Sequence, residues 1–209
     1  MVAPCNSCLS QSKERSMSTT TEDLTRTVDG SLVPAVGTWV VDGSHTSAEF
    51  VARHLMVAKV RGGFGSVSGT IEVAEDPTGS SVEISIDTAS VSTGDADRDG
   101  HIKSADFFDI ETHPEMKFVS TAVRPDGSSW VLDGNLTIKE ITKPVTLAFD
   151  FVGLATDPWG NQKAAFSATT TIDREDWDLT WNVALETGGV LVSKTINIEI
   201  ELQAAPANG

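Results

Sequence analysis

Hydrophobic residues alternate with polar residues through most of the chain from Gly37 onwards, and this pattern most limits the folds that the chain can adopt. The clearest segment is the last one, in which every second residue from Ile196 to Leu202 is aliphatic and the residues between them are polar. A period of two places successive side chains on opposite faces of a β-strand, so each such segment predicts a strand with one buried face. No helical segments lie between consecutive strands to provide parallel crossovers. We therefore predict an all-β protein with an antiparallel sheet.

The number and length of these segments narrow the fold further. About eight or nine of them follow one another, separated by turn sequences such as Asp42-Gly43, as in an antiparallel sandwich or barrel. Several run to about ten residues, which is longer than the usual strand of about five or six. Long strands favour a barrel of about eight strands over a sandwich.

The predicted inner face mixes large and small side chains. The large residues are Phe50, Trp130, Phe149, Phe151 and Phe166, and the small residues at matching positions are Ala48, Ala52, Gly134, Ala164 and Ala168. Such a mixture either fits the taper of a filled barrel or leaves an apolar channel, for which an eight-stranded barrel has room. The residues by themselves favour the two interpretations equally.

One segment, residues 98–118, departs from the alternation. Asp95 precedes it and suits the N-terminus of a helix, because an acidic side chain stabilises the exposed N–H groups there. Apolar residues follow at helical spacing, and Pro114 prevents continuation of the helix. Phe107 and Phe108 add a large apolar surface that needs a dry environment. We predict one short helix that acts as a lid or plug on the barrel.

The charge of the chain excludes several functions. The 209 residues carry a formal net charge of −15 at pH 7, and such an acidic surface repels nucleic-acid phosphates and anionic membrane faces. There is no apolar run of about 18 residues, so we expect no stable membrane insertion. The N-terminal residues lack the pattern of a secretory signal, which predicts a cytoplasmic protein.

The N-terminal region has the composition of a disordered tail. Residues 1–36 are rich in Ser and Thr and contain no aromatic residue, which predicts disorder. Met17 is an alternative start, so residues 1–16 are a candidate over-extension of the chain. Cys5 and Cys8 have the spacing of half a zinc site or of a redox pair, but no second ligand pair and no βαβ pattern accompany them. We assign them no role.

Several segments resemble, in the same order, the characteristic motifs of the YceI-like family; they are Asp42–Leu55, Val60–Gly65, Arg98–Ser120, Leu132–Ile138, Thr142–Val145 and Ile172–Trp177. The resemblance implies a lipocalin-like antiparallel β-barrel with an elongated hydrophobic pocket, which we place at residues 37–204, with a short tail at 205–209. Members of this family bind polyisoprenoids or other amphiphilic lipids, including isoprenoid quinones. They are not known as catalysts, and we expect no cofactor for this chain.

Three features depart from the family pattern. Many members carry a secretory signal, so a periplasmic role does not transfer to this chain. Asp178 follows Trp177 where the family commonly has Gly, which alters a turn. His113 precedes Pro114 where the family commonly has an aromatic residue, and this change predicts a more polar entrance.

The resemblance and the inner faces together predict a ligand-binding site of apolar side chains with a few polar ones at the mouth. The candidates are Phe50, His54, Arg61, Phe64, Ile84, Ile86, Arg98, His101, Phe107, Phe108, Phe118, Trp130, Leu132, Phe149 and Phe166. Arg98 and His101 are the best candidates for contacting a polar head group, since both can donate hydrogen bonds to a phosphate or quinone oxygen. The equally weighted alternative is that they cap the helix or pair with Asp95, Asp97 or Asp109.

Other site chemistry finds little support in the residues. The four histidines lack the paired spacing of a zinc site, so we expect no metal. The segment Gly65–Gly69 has no Ser at its middle position and lies in a strand, unlike a nucleophile elbow. The acidic residues within Asp173–Asp178 are typical of a solvated surface.

The leading hypothesis is therefore a non-catalytic protein that sequesters or carries a long-chain amphiphilic lipid. The alternatives are an enzyme that acts on a small apolar substrate in the same cavity and a ligand-free stress or scaffold protein with a filled core. Neither the composition nor the motifs decide between a monomer and a homodimer.

Overall fold

Antiparallel strands form most of the fold. The computed structural model of the protein describes residues 24–127, 129–186 and 188–207. The cysteine pair and the alternative start at Met17 lie outside these residues. The strands and the helix, in chain order, are β1 Thr25–Val28, β2 Ser31–Pro34, β3 Gly37–Val41, β4 Ser47–His54, β5 Ala58–Phe64, β6 Val67–Val73, β7 Ser81–Asp87, β8 Val91–Ser92, α1 Ala96–Lys103, β9 Glu115–Asp126, β10 Ser129–Ile138, β11 Ile141–Thr156, β12 Gln162–Asp173 and β13 Thr195–Pro206.

Eight strands close into a barrel. Neighbouring strands follow the order β12-β11-β10-β9-β7-β6-β3-β13, and β13 also pairs with β12. This closing ladder is antiparallel and runs from Ala164 opposite Ala204 to Asp173 opposite Thr195. Closure removes the unpaired edges that an open sheet would expose. The predicted antiparallel β-barrel with one short helix is confirmed.

Three further strands extend the sheet at one end of the barrel. The free edge of β13 pairs with β3 along its last residues and with β4 over Asn197–Glu201. β4 then pairs with β5, and β5 pairs with β8. The helix α1 follows β8 directly and lies against it. We call this the helix end of the barrel; the turns that join β9 to β10 and β11 to β12 lie at the opposite end.

The small residues on the inner face have two different roles. A Cβ atom at Gly134 would collide with the ring of Phe118, so this glycine makes room for a large neighbour. By contrast, Ala52 and Ala168 line open space inside the barrel. Both interpretations of the mixed inner face therefore hold, each at different positions.

The predicted disordered tail is wrong over residues 24–36. β1 and β2 form a hairpin whose turn residues, Asp29 and Gly30, both have positive φ, at 49° and 83°. An Asp-Gly pair is among the strongest hairpin signals, and here it outweighs the polar composition. Val33 and Pro34 are buried against the barrel, and the Arg26 guanidinium donates to the carbonyls of the turn after β6.

Two other predicted boundaries also differ from the structure. The helix ends at Lys103, because Ser104 is extended and its hydroxyl donates to the His101 carbonyl at 2.8 Å. The predicted C-terminal tail begins inside β13, which continues to Pro206. Backbone pairing extends even further, since the Ala207 N–H donates to the Thr38 carbonyl at 2.9 Å.

A partly buried ion pair ties the residue after β3 to β12. Asp42 Oδ2 lies 2.8 Å from the Lys163 ammonium, and the two side chains are only 16% and 20% exposed. Asp42 also accepts hydrogen bonds from the Ser44 hydroxyl and from the His45 imidazole. The Lys163 hydrogen bond is the main cause that holds the pKa of Asp42 well below its ordinary value, with Ser44 and His45 adding to it.

Replacement of Gly134 tests whether the Phe118 ring occupies the space where a side chain at position 134 would lie. We expect Gly134→Ala to lower the free energy of unfolding by about 1–3 kcal/mol, because the added methyl group displaces a packed ring. Gly100→Ala is the control, since Gly100 lies in α1 with open space around it, and this change should stabilise the protein by roughly 0.5–1 kcal/mol. Urea denaturation of both variants measures the difference, and equal effects would contradict the assignment.

The ion pair predicts a defined pH dependence. Because the pKa of Asp42 is depressed in the folded state, its contribution to stability is present above the unfolded pKa of about 3.9 and is lost as the pH falls below it. Asp42→Asn should cost about 1–3 kcal/mol at pH 7, and the difference from the wild type should shrink as the pH is lowered from about 4.

Denaturant titrations at several pH values test this dependence. Asp150→Asn is the control, since Asp150 is exposed on β11, and it should change the stability by less than about 0.5 kcal/mol at any pH. A constant difference between Asp42→Asn and the wild type across the acid range would refute the role of the ion pair.

Candidate functional site

A cavity of about 670 Å³ occupies the interior of the barrel. Strands β6, β7, β9, β10, β11 and β13 contribute only apolar side chains to its lining. The apolar lining follows from the alternation in the sequence, which directs every second side chain of each strand inwards. The result is a long apolar enclosure within the size range of ligand pockets, which is roughly 300–1,000 Å³.

The charged and imidazole side chains of the lining are confined to three elements. They come from β4, from α1 and from the turn after β12, and they are Glu49, Arg53, His54, Asp97, Arg98, His101 and Arg174. Arg53, Asp97 and Arg98 line the cavity and are also exposed to solvent. A residue with both properties marks an opening, so the mouth of the cavity lies between β4 and α1.

The structure brings together nearly all of the predicted ligand-binding residues. Fourteen of the fifteen line the cavity, namely Phe50, His54, Phe64, Ile84, Ile86, Arg98, His101, Phe107, Phe108, Phe118, Trp130, Leu132, Phe149 and Phe166. Ile84, Phe118 and Trp130 lie deeper in the barrel, and His54, Arg98 and His101 lie at the mouth. Their role in binding stays a prediction.

Arg61 is the exception, and its predicted position is wrong. It follows Val60, which lines the cavity, so the alternation along β5 turns Arg61 to the outer face. Its guanidinium lies 3.4 Å from Glu199 on the neighbouring surface, and its side chain is 56% exposed.

Hydrogen bonds fix α1 at the mouth. Asp95 caps the helix by accepting the Arg98 N–H at 3.0 Å. The Asp99 carboxylate accepts the backbone N–H of Thr93 at 2.7 Å and its hydroxyl at 2.5 Å, and the Thr93 hydroxyl is the main cause that lowers the pKa of Asp99. The Arg98 guanidinium donates twice to Thr93, at 2.7 and 3.1 Å. Thr93 is thus the main contact that holds the helix after β8, and the Ser92 hydroxyl adds a hydrogen bond to Asp99 at 3.2 Å.

His101 is the centre of an aromatic cluster over the cavity. Its ring packs edge-on against Trp181 and Phe107, with centroids 4.5 and 5.2 Å apart. Its Nε2 lies 2.9 Å from Asp106 Oδ2, whereas the sequence had suggested three other aspartates as partners. Phe108 belongs to a second cluster, in which its ring packs on Phe64 at 5.6 Å. Phe107 and Phe108 therefore both pack over the cavity at the helix end of the barrel.

Arg174 lies beneath the first cluster and is 4% exposed. Its guanidinium donates to the carbonyls of Ser193 at 3.1 Å, Leu179, and Trp181 at 3.0 Å. The guanidinium carbon also lies 5.9 Å from the centroid of Phe107. Burial lowers the pKa of Arg174, because the charged form loses hydration. Within Asp173–Asp178, whose acidic residues the sequence assigns to a solvated surface, Arg174 and Trp177 are therefore buried.

Metal-binding clusters and membrane-spanning helices are both absent from the described ranges 24–127, 129–186 and 188–207. No three side chains among His, Cys, Asp and Glu come together there as a metal site. None of the helices in those ranges has the length and apolar character to cross a membrane.

Comparison with known proteins places the chain in a family. The sequence model of the YceI-like domain matches residues 39–204. The chain belongs to the YceI-like family. This confirms the resemblance inferred from the motifs, and the matched region contains every residue that lines the cavity except Val33 and Pro34.

Individual proteins show the same relationship. A UPF0312 protein of Pectobacterium atrosepticum is 38% identical over 152 residues, which cover 72% of this chain and 79% of that protein. The crystal structure of BcnA from Burkholderia cenocepacia aligns with a TM-score of 0.64 and 24% identity, covering 78% of this chain and 98% of BcnA. A polyisoprenoid binding domain from Saccharophagus degradans aligns with a TM-score of 0.59 and 14% identity, covering 82% and 99%. These two structures share the fold with the YceI-like domain described here.

The departures from the family pattern now have a structural context. Asp178 has φ 58° and ψ 24°, a left-handed conformation that glycine adopts readily and that aspartate tolerates better than most residues. His113 does not line the cavity, and its carbonyl accepts the Thr88 hydroxyl at 2.8 Å. The polar entrance of this YceI-like domain therefore comes from β4 and α1.

Sequence reasoning missed several lining residues of this YceI-like domain. The inner residues of β13 were visible in the alternation but were left out of the candidate site. Arg174 resembles a surface residue in sequence, since it lies between Asp173 and Glu175. Trp181 lies in an irregular segment with no periodic pattern, so only the fold brings it to His101.

Arg174 should prove essential for the packing of the helix end. Arg174→Met should lower the free energy of unfolding by about 2–4 kcal/mol, because three carbonyls lose their donor, and Arg174→Lys should recover little, since an ammonium does not reproduce the guanidinium fork. Arg61→Met is the control on the exposed face and should change stability by less than about 0.5 kcal/mol. Urea denaturation measures all three, and a near-neutral Arg174→Met would show that the buried hydrogen bonds are dispensable.

Proposed function

We propose that this YceI-like protein is a non-catalytic carrier that holds the hydrocarbon chain of a long amphiphilic lipid, such as a polyisoprenoid or an isoprenoid quinone, inside its barrel. The observation that carries the proposal is the distribution of polarity around the cavity. Six strands line it with apolar side chains alone, and the charged side chains of the lining come only from β4, from α1 and from the turn after β12. An amphiphile with one long apolar tail and one polar head has the matching distribution.

The energetic basis is the removal of the tail from water. Each buried CH₂ group contributes about 0.8 kcal/mol before the cost of association is subtracted. The lining combines small side chains such as Ala52 and Ala168 with large rings such as Phe118 and Trp130, so the walls of the cavity are uneven. A flexible, unbranched or methyl-branched chain suits such a passage better than a rigid planar ligand.

The head group would lie between β4 and α1. The Arg98 guanidinium has five N–H donors, and its two hydrogen bonds to Thr93 leave others to meet an anionic or carbonyl oxygen. His101 is oriented by Asp106, and His54 and Arg53 face the same opening from β4. Arg98 thus combines the two roles that the sequence left as alternatives, since it fixes the helix and borders the mouth.

The comparisons support this proposal. The structural neighbour from Saccharophagus degradans is a polyisoprenoid binding domain, which shares the fold at 14% identity. We carry its ligand class over to this chain because the cavity independently has the shape and polarity that such a ligand needs.

The lipid content of the purified protein tests the proposal. Native mass spectrometry, followed by extraction with organic solvent, should detect about one isoprenoid lipid per chain, and the native spectrum also reports whether the chain is a homodimer. Absence of bound lipid, together with failure to bind an added polyprenyl phosphate or quinone, would refute the carrier. Conversion of the lipid during incubation would identify an enzyme instead.

A pair of adjacent substitutions locates the ligand. Ala168→Phe fills part of the cavity, and we expect it to weaken lipid binding about tenfold or more, since several CH₂ groups lose their place. Thr169→Phe is the matched control, because Thr169 is exposed on the outer face of the same strand. Titration with a fluorescent polyprenyl analogue measures both variants, and equal affinities would place the lipid outside the barrel.

A further inference from the structure

The turn between β4 and β5 exposes an unusual run of apolar side chains. Leu55, Met56 and Val57 are 44%, 50% and 80% exposed. Turns are normally built from Gly, Asn, Asp, Pro and Ser, which hydrogen-bond to water or tolerate special backbone angles. We call residues 55–57 the apolar tip.

The backbone conformation of the apolar tip indicates that its apolar side chains do not serve the stability of the fold. Leu55 and Met56 have φ of 52° and 61°, so two bulky residues in succession are in the left-handed region. They are the two central residues of the turn His54–Val57, in which the Val57 N–H donates to the His54 carbonyl at 3.1 Å, and a turn with positive φ at both central residues favours Asn-Gly. The native residues therefore cost stability compared with the pair that suits the turn, and strained positions of this kind cluster where a protein binds something.

A second loop enlarges the apolar surface. The Leu55 N–H donates to the Leu191 carbonyl at 2.8 Å, and the Leu191 N–H donates to the Val183 carbonyl at 2.9 Å. Val183 is 46% exposed beside this pair. Four exposed hydrophobic residues are thus grouped at the helix end.

Basic residues stand at the base of the apolar tip, although the chain as a whole carries a net charge of −15. Arg53 and Lys59 lie opposite each other in the β4–β5 ladder, and both are exposed. Neither forms an ion pair with any residue that the structure describes. Arg61 lies two residues after Lys59, where it meets Glu199, and Glu186 is the acidic residue of the adjoining loop.

We propose that the apolar tip docks the protein on the surface of a lipid bilayer that contains anionic phospholipids. The apolar side chains enter the boundary between head groups and acyl chains, while Arg53 and Lys59 meet the phosphates. The overall negative charge keeps this contact weak and reversible. The net charge of the whole chain predicts repulsion from an anionic membrane, but the apolar tip with its two basic residues is a local exception.

The position of the apolar tip gives docking a consequence. Arg53 and His54 line the cavity mouth and directly precede Leu55 in the chain. Docking therefore brings the mouth to the bilayer surface, where a lipid would enter or leave without crossing water. This consequence rests on the proposed function, whereas the docking itself does not.

Vesicle flotation with the full-length protein tests the docking. The vesicles contain either phosphatidylcholine alone or an equal mixture of phosphatidylcholine and phosphatidylglycerol. The wild type should float with the mixed vesicles. The triple variant Leu55→Asn, Met56→Gly, Val57→Ser should bind them at least about tenfold more weakly, because it lacks the apolar side chains. Since Asn-Gly suits the turn, the variant should be at least as stable as the wild type in urea, so that its loss of binding does not arise from a folding defect.

Two controls separate the contributions. Trp159 is 85% exposed on the turn between β11 and β12, at the opposite end of the barrel, so Trp159→Ser should leave flotation unchanged. Lys59→Glu should weaken binding to the mixed vesicles about tenfold. Lys143→Glu changes an exposed lysine of β11 and should have little effect.

Three results would each overturn the docking of the apolar tip on a bilayer. They are failure of the wild type to float, equal flotation of the triple variant, and a loss of flotation with Trp159→Ser. Self-association that the triple variant abolishes, without vesicle binding, would also overturn it and would assign the apolar tip to a second copy of the chain. Lipid content by native mass spectrometry is measured separately, so a protein that docks but carries no lipid would refute the proposed function alone.

Discussion

The pairing of β12 with β13 is the constraint on which the other features depend. Each residue from Ala164 to Asp173 has a partner between Ala204 and Thr195, so the two strands close the sheet along their length. Ala164 and Ala204 are fully buried at one end of this ladder, where small side chains permit close packing beneath the β1–β2 hairpin. Without closure, the inner faces of the other strands would meet water, and there would be no enclosed cavity.

Closure also explains why the interior is partly empty. The number of strands sets the diameter of a barrel, so the walls do not approach one another to fill a gap. Each inner side chain must reach its neighbours or leave space. Phe118 fills the position above Gly134, whereas Ala52 and Ala168 leave theirs open. An apolar cavity of this kind loses packing energy, which an apolar ligand restores when it enters.

The helix end is built differently from the rest of the barrel. No residue of α1 is buried, so the helix is held by Thr93, by its cap and by the ring of His101 rather than by a hydrophobic face. Elements with few buried apolar contacts open locally at a lower free energy than core strands. Beneath them, Arg174 links three loop carbonyls and gives the loops after β12 a fixed position. The mouth of the cavity thus combines a fixed floor with a lightly held helix.

The sequence by itself determined the strands, their inner faces and the family, because alternation and ordered motifs are local properties of the chain. It also identified fourteen cavity residues, of which ten follow from strand parity and four, in and after α1, from the segment that departs from the alternation. The same alternation along β5 places Arg61 on the outer face, although Arg61 was included among the candidate ligand-binding residues. Only the tertiary structure decided whether the barrel was filled or hollow, because the space at one residue depends on side chains from strands distant in sequence. The same reason applies to Arg174 and Trp181, whose burial results from loops that meet only when the barrel closes.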